Sequence, residues 1–76
     1  MMEDSQIYLS MYLKEERRKA KLTQVELAKK AGVGVRFIRE MEQGKKTLRM
    51  DKVNQVLTLF GSELGVVPMN REEWFE

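Results

Sequence analysis

The sequence predicts a mainly α-helical bundle of four to five helices, followed by one short C-terminal β-strand. Three observations carry that reading. Apolar residues recur at helical spacing in several stretches between Leu9 and Phe60. A two-helix unit joined by a glycine turn is written into residues 23–44, TQVELAKKAGVGVRFIREMEQG. Residues 62–69, SELGVVPM, then drop the helical period and carry the β-branched pair Val66 and Val67.

A first helix is expected over residues 5–21. Leu9, Leu13, Arg17 and Ala20 share one face of it, at spacings of four, four and three. The residues before it carry little information. Arg17 is out of place on a packed stripe and needs an acid, for which Glu42 is the best candidate. Tyr8 and Tyr12, four residues apart, form a ledge beside that face.

Thr23 followed three residues later by Glu26 is a capping box, so a second helix starts at Gln24. Leu27, Ala28 and Ala31 form its buried side, and Lys29 and Lys30 point elsewhere. Gly32 ends it with the left-handed conformation a sharp turn needs, and Val33 plugs the angle that follows. A third helix spans residues 35–42. Phe37, Ile38 and Met41 lie on its inner side, and Val35, Arg36, Arg39, Glu40 and Gln43 on its outer side. A second helix that offers a polar, basic stripe is the helix-turn-helix pattern.

Lys45 and Lys46 in the next loop lie close to where such a helix would enter a groove of DNA. Phosphate contact is one reading of them, and a plain solvated loop is the other. Leu48 returns to the core. A last helix over residues 50–60 places Val53, Val56, Leu57 and Phe60 on one face, and Gly61 ends it.

The strand at residues 62–69 has no second strand in the chain to pair with. The same strand of another copy, related by a two-fold axis, would complete it, with Leu64, Val66 and Val67 as dimer contacts and Pro68 bounding the ladder. The alternative is an extended segment lying on its own domain. Residues 70–76, NREEWFE, form an acidic aromatic tail beyond a domain of residues 1–69. Trp74 and Phe75 there either fold back or are held out for a partner.

Composition narrows the function. The chain has 76 residues, enough for one small domain; a domain of about 60 residues buries only about 60% of its unfolded surface, so association would help it. With 42% hydrophobic and 34% charged residues it should be soluble and globular. No apolar run approaches the ~20 residues of a membrane span. The acidic N-terminus is no signal peptide, and a cytoplasmic location is expected. The absence of cysteine and histidine removes disulfides, thiolate chemistry, the usual zinc ligands and imidazole catalysis. No catalytic residue, metal site or cofactor is assigned, and an enzyme is not expected.

Charge points the other way, toward a polyanion. Between Lys14 and Arg49 twelve basic and five acidic side chains leave an excess of seven positive charges, although the whole chain carries only +2. A basic centre around a helix-turn-helix suits double-stranded DNA, whose phosphates supply most non-specific affinity.

The stretches LTQVELAKKAGV and RFIREMEQGKKTLRMDKVNQVLTLFG resemble the phage-repressor and Xre-type helix-turn-helix regulators, and within them the HipB-type antitoxins. The resemblance runs from Leu13 to about Met69. It implies a lambda-repressor-like bundle of four or five helices, and a dimer sealed by an intersubunit β-ribbon after the last helix. It also implies that Gln24 anchors a phosphate, that Val35, Arg36, Arg39 and Glu40 face the major groove, and that Arg17 and Glu42 tie the first helix to the third. Two residues depart from the pattern. Gly34 stands where Ser or Thr often caps the recognition helix, and Val35 where a polar base reader is frequent. Val35 would then meet a thymine methyl, and Arg36 or Arg39 a guanine edge.

HipB-type proteins bind an operator near their own promoter and hold a HipA-like serine/threonine kinase toxin, sometimes split over more than one chain. The function implied is a dimeric, sequence-specific repressor that is both antitoxin and autorepressor. A stand-alone repressor without a toxin is the first alternative. A protein-interaction module that no longer binds DNA is the second.

Overall fold

A computed structural model of the chain describes residues 2–67, with side chains from Tyr8 onward. Four helices follow one another among the described residues: α1 (Met2–Lys19), α2 (Gln24–Ala31), α3 (Val35–Glu42) and α4 (Met50–Thr58). Their apolar stripes face one interior. Leu13 of α1, Leu27, Ala28 and Ala31 of α2, Ile38 and Met41 of α3, and Val53, Val56 and Leu57 of α4 form a single buried cluster. Each fully buried member, such as Leu13, Leu27 or Ile38, contributes about 1.5–3 kcal/mol of transfer free energy. Leu9, Leu22, Val33, Leu48 and Phe60 pack half-buried around its edge.

The capping box forms at the start of α2. The Glu26 amide donates to Thr23 Oγ1 at 3.0 Å, and the Thr23 amide donates to Glu26 Oε1 at 2.8 Å. The bond from the Thr23 backbone is the main reason the Glu26 carboxyl is held below its usual range.

All four helices end by the same device. A residue of positive φ follows each one: Lys21 (57°), Gly32 (76°), Gly44 (80°) and Gly61 (73°). The next amide then donates to the carbonyl five residues back: Leu22 to Arg17 at 3.1 Å, Val33 to Ala28 at 3.0 Å, Lys45 to Glu40 at 3.1 Å and Ser62 to Leu57 at 3.0 Å. These are Schellman closures, which satisfy carbonyls the helix leaves without a partner and turn the chain sharply. At Lys21 a side chain occupies the left-handed conformation, at a cost of about 1–2 kcal/mol.

A second bond system reinforces the turn after α2. Gln55 of α4 donates through Nε2 to the carbonyls of Ala31 at 2.6 Å and Gly32 at 3.1 Å. The turn between α2 and α3 is therefore pinned from below by the last helix.

The structure corrects several expectations. The first helix starts at Met2 rather than near residue 5 and closes at Lys19, because Lys21 turns left-handed. Ala20 falls beyond that end and is exposed rather than packed. The last helix ends at Thr58, with residues 59–61 forming the closing turn. The C-terminal strand does not appear among the described residues: residues 62–67 run as irregular chain. A ladder needs a neighbouring edge, and a single copy supplies none. Two bonds nonetheless fix where this segment begins. Tyr12 Oη and Ser62 Oγ lie 2.6 Å apart, and the Leu64 amide donates to Asn54 Oδ1 at 2.7 Å. Beyond that anchor Val66 and Val67 are 102% and 74% exposed. Pro68, Met69 and the tail with Trp74 and Phe75 lie outside the described residues.

A methyl group at Gly32 would sit 2.9 Å from Gln55 Nε2 on a backbone of φ +76°. Gly32→Ala is expected to lower the unfolding free energy by about 1–2 kcal/mol in urea denaturation; an unchanged midpoint would show that the Gln55 contact is dispensable and the turn relaxed.

Candidate nucleic-acid interface

The position of α3 is set by a buried carboxylate. Glu42 is a charged residue inside the core, with 4% of its side chain exposed, and its partner Arg17 is 16% exposed. Arg17 Nε donates to Glu42 Oε2 at 2.6 Å and Arg17 Nη2 to Oε1 at 3.1 Å, a forked pair between α1 and α3. Gln24 Nε2 adds a third bond to Oε1 at 3.1 Å. Arg17 Nη1 donates in turn to the Leu22 carbonyl at 3.0 Å, in the turn between α1 and α2. The hydrogen bond to Glu42 raises the Arg17 pKa above its usual value, so the guanidinium stays charged. Three helices thus meet at one carboxyl group.

With Ile38, Met41 and Glu42 turned inward, the opposite side of α3 faces outward. Arg36 projects into solvent with its side chain 90% exposed. Arg39 is exposed and has no side-chain partner among the described residues. Gln43 is exposed as well. Glu40 is half-buried and pairs with Arg36 Nε at 3.5 Å and Lys45 Nζ at 3.3 Å. Lys45 is in reach because the closure at Gly44 brings the chain back over Glu40. Lys46 is exposed beside it.

Three of the sequence-predicted site residues make contacts that bear on their expected roles. Val35 is half-buried and packs against the core cluster, so part of the side chain offered to a thymine methyl is engaged below. Gly34 caps α3 through its extended backbone with no side-chain bond. The amide nitrogen of Gln24, the expected phosphate anchor, is bonded to Glu42. The Leu64 amide is held by Asn54 at the root of the C-terminal segment.

The bonds from Gln24, Gln55 and Asn54 were not foreseen. Each joins residues distant in sequence, for which helical spacing carries no signal. The Arg36–Glu40 pair has a local signal, the four-residue spacing of opposite charges on one helix. Among the described residues no group of three or more acidic side chains is placed to hold a metal ion, and no helix is long and apolar enough to cross a membrane.

A two-helix unit with a glycine turn, a buried inner face on its second helix and a basic outer face is now complete. A family model described as Helix-turn-helix, HTH_3, matches residues 13–67. The chain belongs to this helix-turn-helix family. The match takes in α2, α3 and α4 and begins at Leu13, one turn before Arg17. The family is not an enzyme family. The chain is also similar to an uncharacterized HTH-type transcriptional regulator, y4mF, of Sinorhizobium fredii, at 45% identity over 51 residues, 67% of each chain. No solved structure gave a significant match. Membership accounts for the shape of residues 13–67.

Arg17→Met would leave Glu42 buried without its main counter-charge. It is expected to cost about 3–5 kcal/mol of stability. Combining it with Glu42→Met should recover a large part of that loss, as thermal denaturation of the three variants would register. Losses that simply add would mean that the two side chains act independently.

Proposed function

We propose that the protein is a dimeric, sequence-specific DNA-binding transcriptional repressor, with α3 as the helix that enters the major groove. The observation that carries the reading is the outer face of α3. On it Arg36 and Arg39 stand exposed on a helix whose inner face is locked by Glu42, with Lys45 and Lys46 at its end. A rigid helix bearing long basic donors is what base-edge and phosphate contacts require. Membership in the helix-turn-helix family and likeness to a protein named as a transcriptional regulator support the same reading.

In this proposal Arg36 and Arg39 read base edges, and Lys45, Lys46 and Gln24 contact phosphates. The dimer forms through residues 62–69 of two copies, with Leu64, Val66 and Val67 at its centre. The anchoring of Leu64 by Asn54 and the full exposure of Val66 favour this arrangement, since they leave an unpaired segment projecting from a fixed root. Two α3 helices would then enter successive major grooves about 34 Å apart.

The finer reading is that of a HipB-type antitoxin and autorepressor that binds a HipA-like kinase toxin, with Trp74 and Phe75 of the tail offered to that partner. It rests on the sequence resemblance. A stand-alone repressor fits the regulator named among its relatives equally well. Co-purification with a kinase encoded beside it separates the two, and the absence of any such complex would leave the stand-alone repressor.

Arg39→Ala is expected to weaken binding to sites selected from genomic DNA by about 1–3 kcal/mol and to relax sequence preference at one position. Equal binding of selected and scrambled duplexes by the wild-type protein would remove the claim of specificity. Removing residues 66–76, which keeps the Ser62 and Leu64 anchors, should give a monomer with reduced operator affinity. A dimer surviving that truncation in light scattering would refute the proposed ribbon.

A further inference from the structure

Glu40 pairs with both Arg36 and Lys45 on the outer face of α3. Its carboxylate sits between a cation one helical turn before it and a cation on the loop behind it, 3.5 and 3.3 Å away. The half-buried side chain, 25% exposed, keeps the carboxylate near the helix surface. The backbone bond from the Lys45 amide to the Glu40 carbonyl, 3.1 Å, fixes the loop that brings the lysine back. On the face proposed to meet DNA, then, the negative group is placed by structure and already holds two of the positive ones. Neighbouring Arg39 has no such partner among the described residues.

We propose that Glu40 is a specificity-determining residue that suppresses non-specific DNA binding by withholding Arg36 and Lys45 from phosphates. This deepens the DNA-binding reading and rests on it. A phosphate that approaches α3 competes with the carboxylate for these cations and comes to lie close to its negative charge. On arbitrary sequence nothing compensates that penalty, because phosphate contacts are all such a site offers. On a cognate site Arg36 leaves Glu40 for a base edge, and the carboxylate accepts from a cytosine amino group or remains on Lys45. Glu40 thereby separates the two modes of binding and widens the ratio between them.

The test needs no knowledge of the operator. Wild-type protein and Glu40→Gln, which keeps side-chain size and removes the charge, are titrated by fluorescence anisotropy with a duplex of random sequence at several salt concentrations. Circular dichroism confirms that both are folded. Glu40→Gln should bind the random duplex on the order of tenfold more tightly at low salt. Its plot of log affinity against log salt should be steeper by about one to two, since each added phosphate contact contributes about 0.9. In a background of Arg36→Ala with Lys45→Ala the gain should vanish. Equal affinity and slope for the two proteins overturn the proposal, as does a gain that persists without Arg36 and Lys45, which would be a general charge effect. Failure of both proteins to bind any duplex at the lowest salt overturns the DNA-binding reading and this proposal together; binding with an unchanged slope overturns this proposal alone.

Discussion

The carboxylate of Glu42 is the constraint on which the rest of the molecule depends. A buried charge is tolerated only when its oxygens are satisfied, and here satisfaction requires Arg17 from α1 and Gln24 from the first residue of α2 in one arrangement. A small apolar core, nine buried residues among those described, is non-directional and would accept its helices at several rotations. The forked bond from Arg17 accepts one. Its second function is indirect: Glu42 is the last residue of α3, so fixing it fixes which side of α3 is left outside.

The connections follow the same logic. Four helices within residues 2–67 leave little room for loops, and each of them is stopped by a closure that also redirects it. Apolar packing then needs only to hold helices already aimed at one another. The turn between α2 and α3 receives more than this. Gln55 bonds to the carbonyls at the end of α2, which makes α4 part of the helix-turn-helix unit rather than a neighbour of it.

How much of this could be read from the sequence depended on the range of the interaction. The capping box of Thr23 and Glu26, the stop at Gly32 and the stripe of Val53, Val56 and Leu57 are local patterns, and all were legible. The Arg17–Glu42 pair, though distant in sequence, was legible too, because a charge on an apolar stripe demands a partner and few acids lay on an inner face. Gln24 and Gln55 gave no such signal. An amide is at home in water or in a cap, and only folding shows which. Lys21 misled the placement of the first helix end because lysine is a good helix former, and its left-handed conformation is imposed by the closure around Arg17 and Leu22. The strand expected at residues 62–69 was not met, with residues 62–67 irregular, because β-branched residues mark a preference for extended chain and carry no information about a partner edge.

The division of α3 into an inward set of Ile38, Met41 and Glu42 and an outward set that includes Arg36 and Arg39 has an evolutionary consequence. Three of its eight positions are buried and Val35 and Phe37 pack partly against the core, while the exposed ones are nearly silent in stability. A duplicated copy of this gene could therefore change what α3 touches one residue at a time, without passing through an unfolded ancestor. Glu40 is the exception to that freedom. Tied to both Arg36 and Lys45, it makes drift at any one of the three felt by the other two.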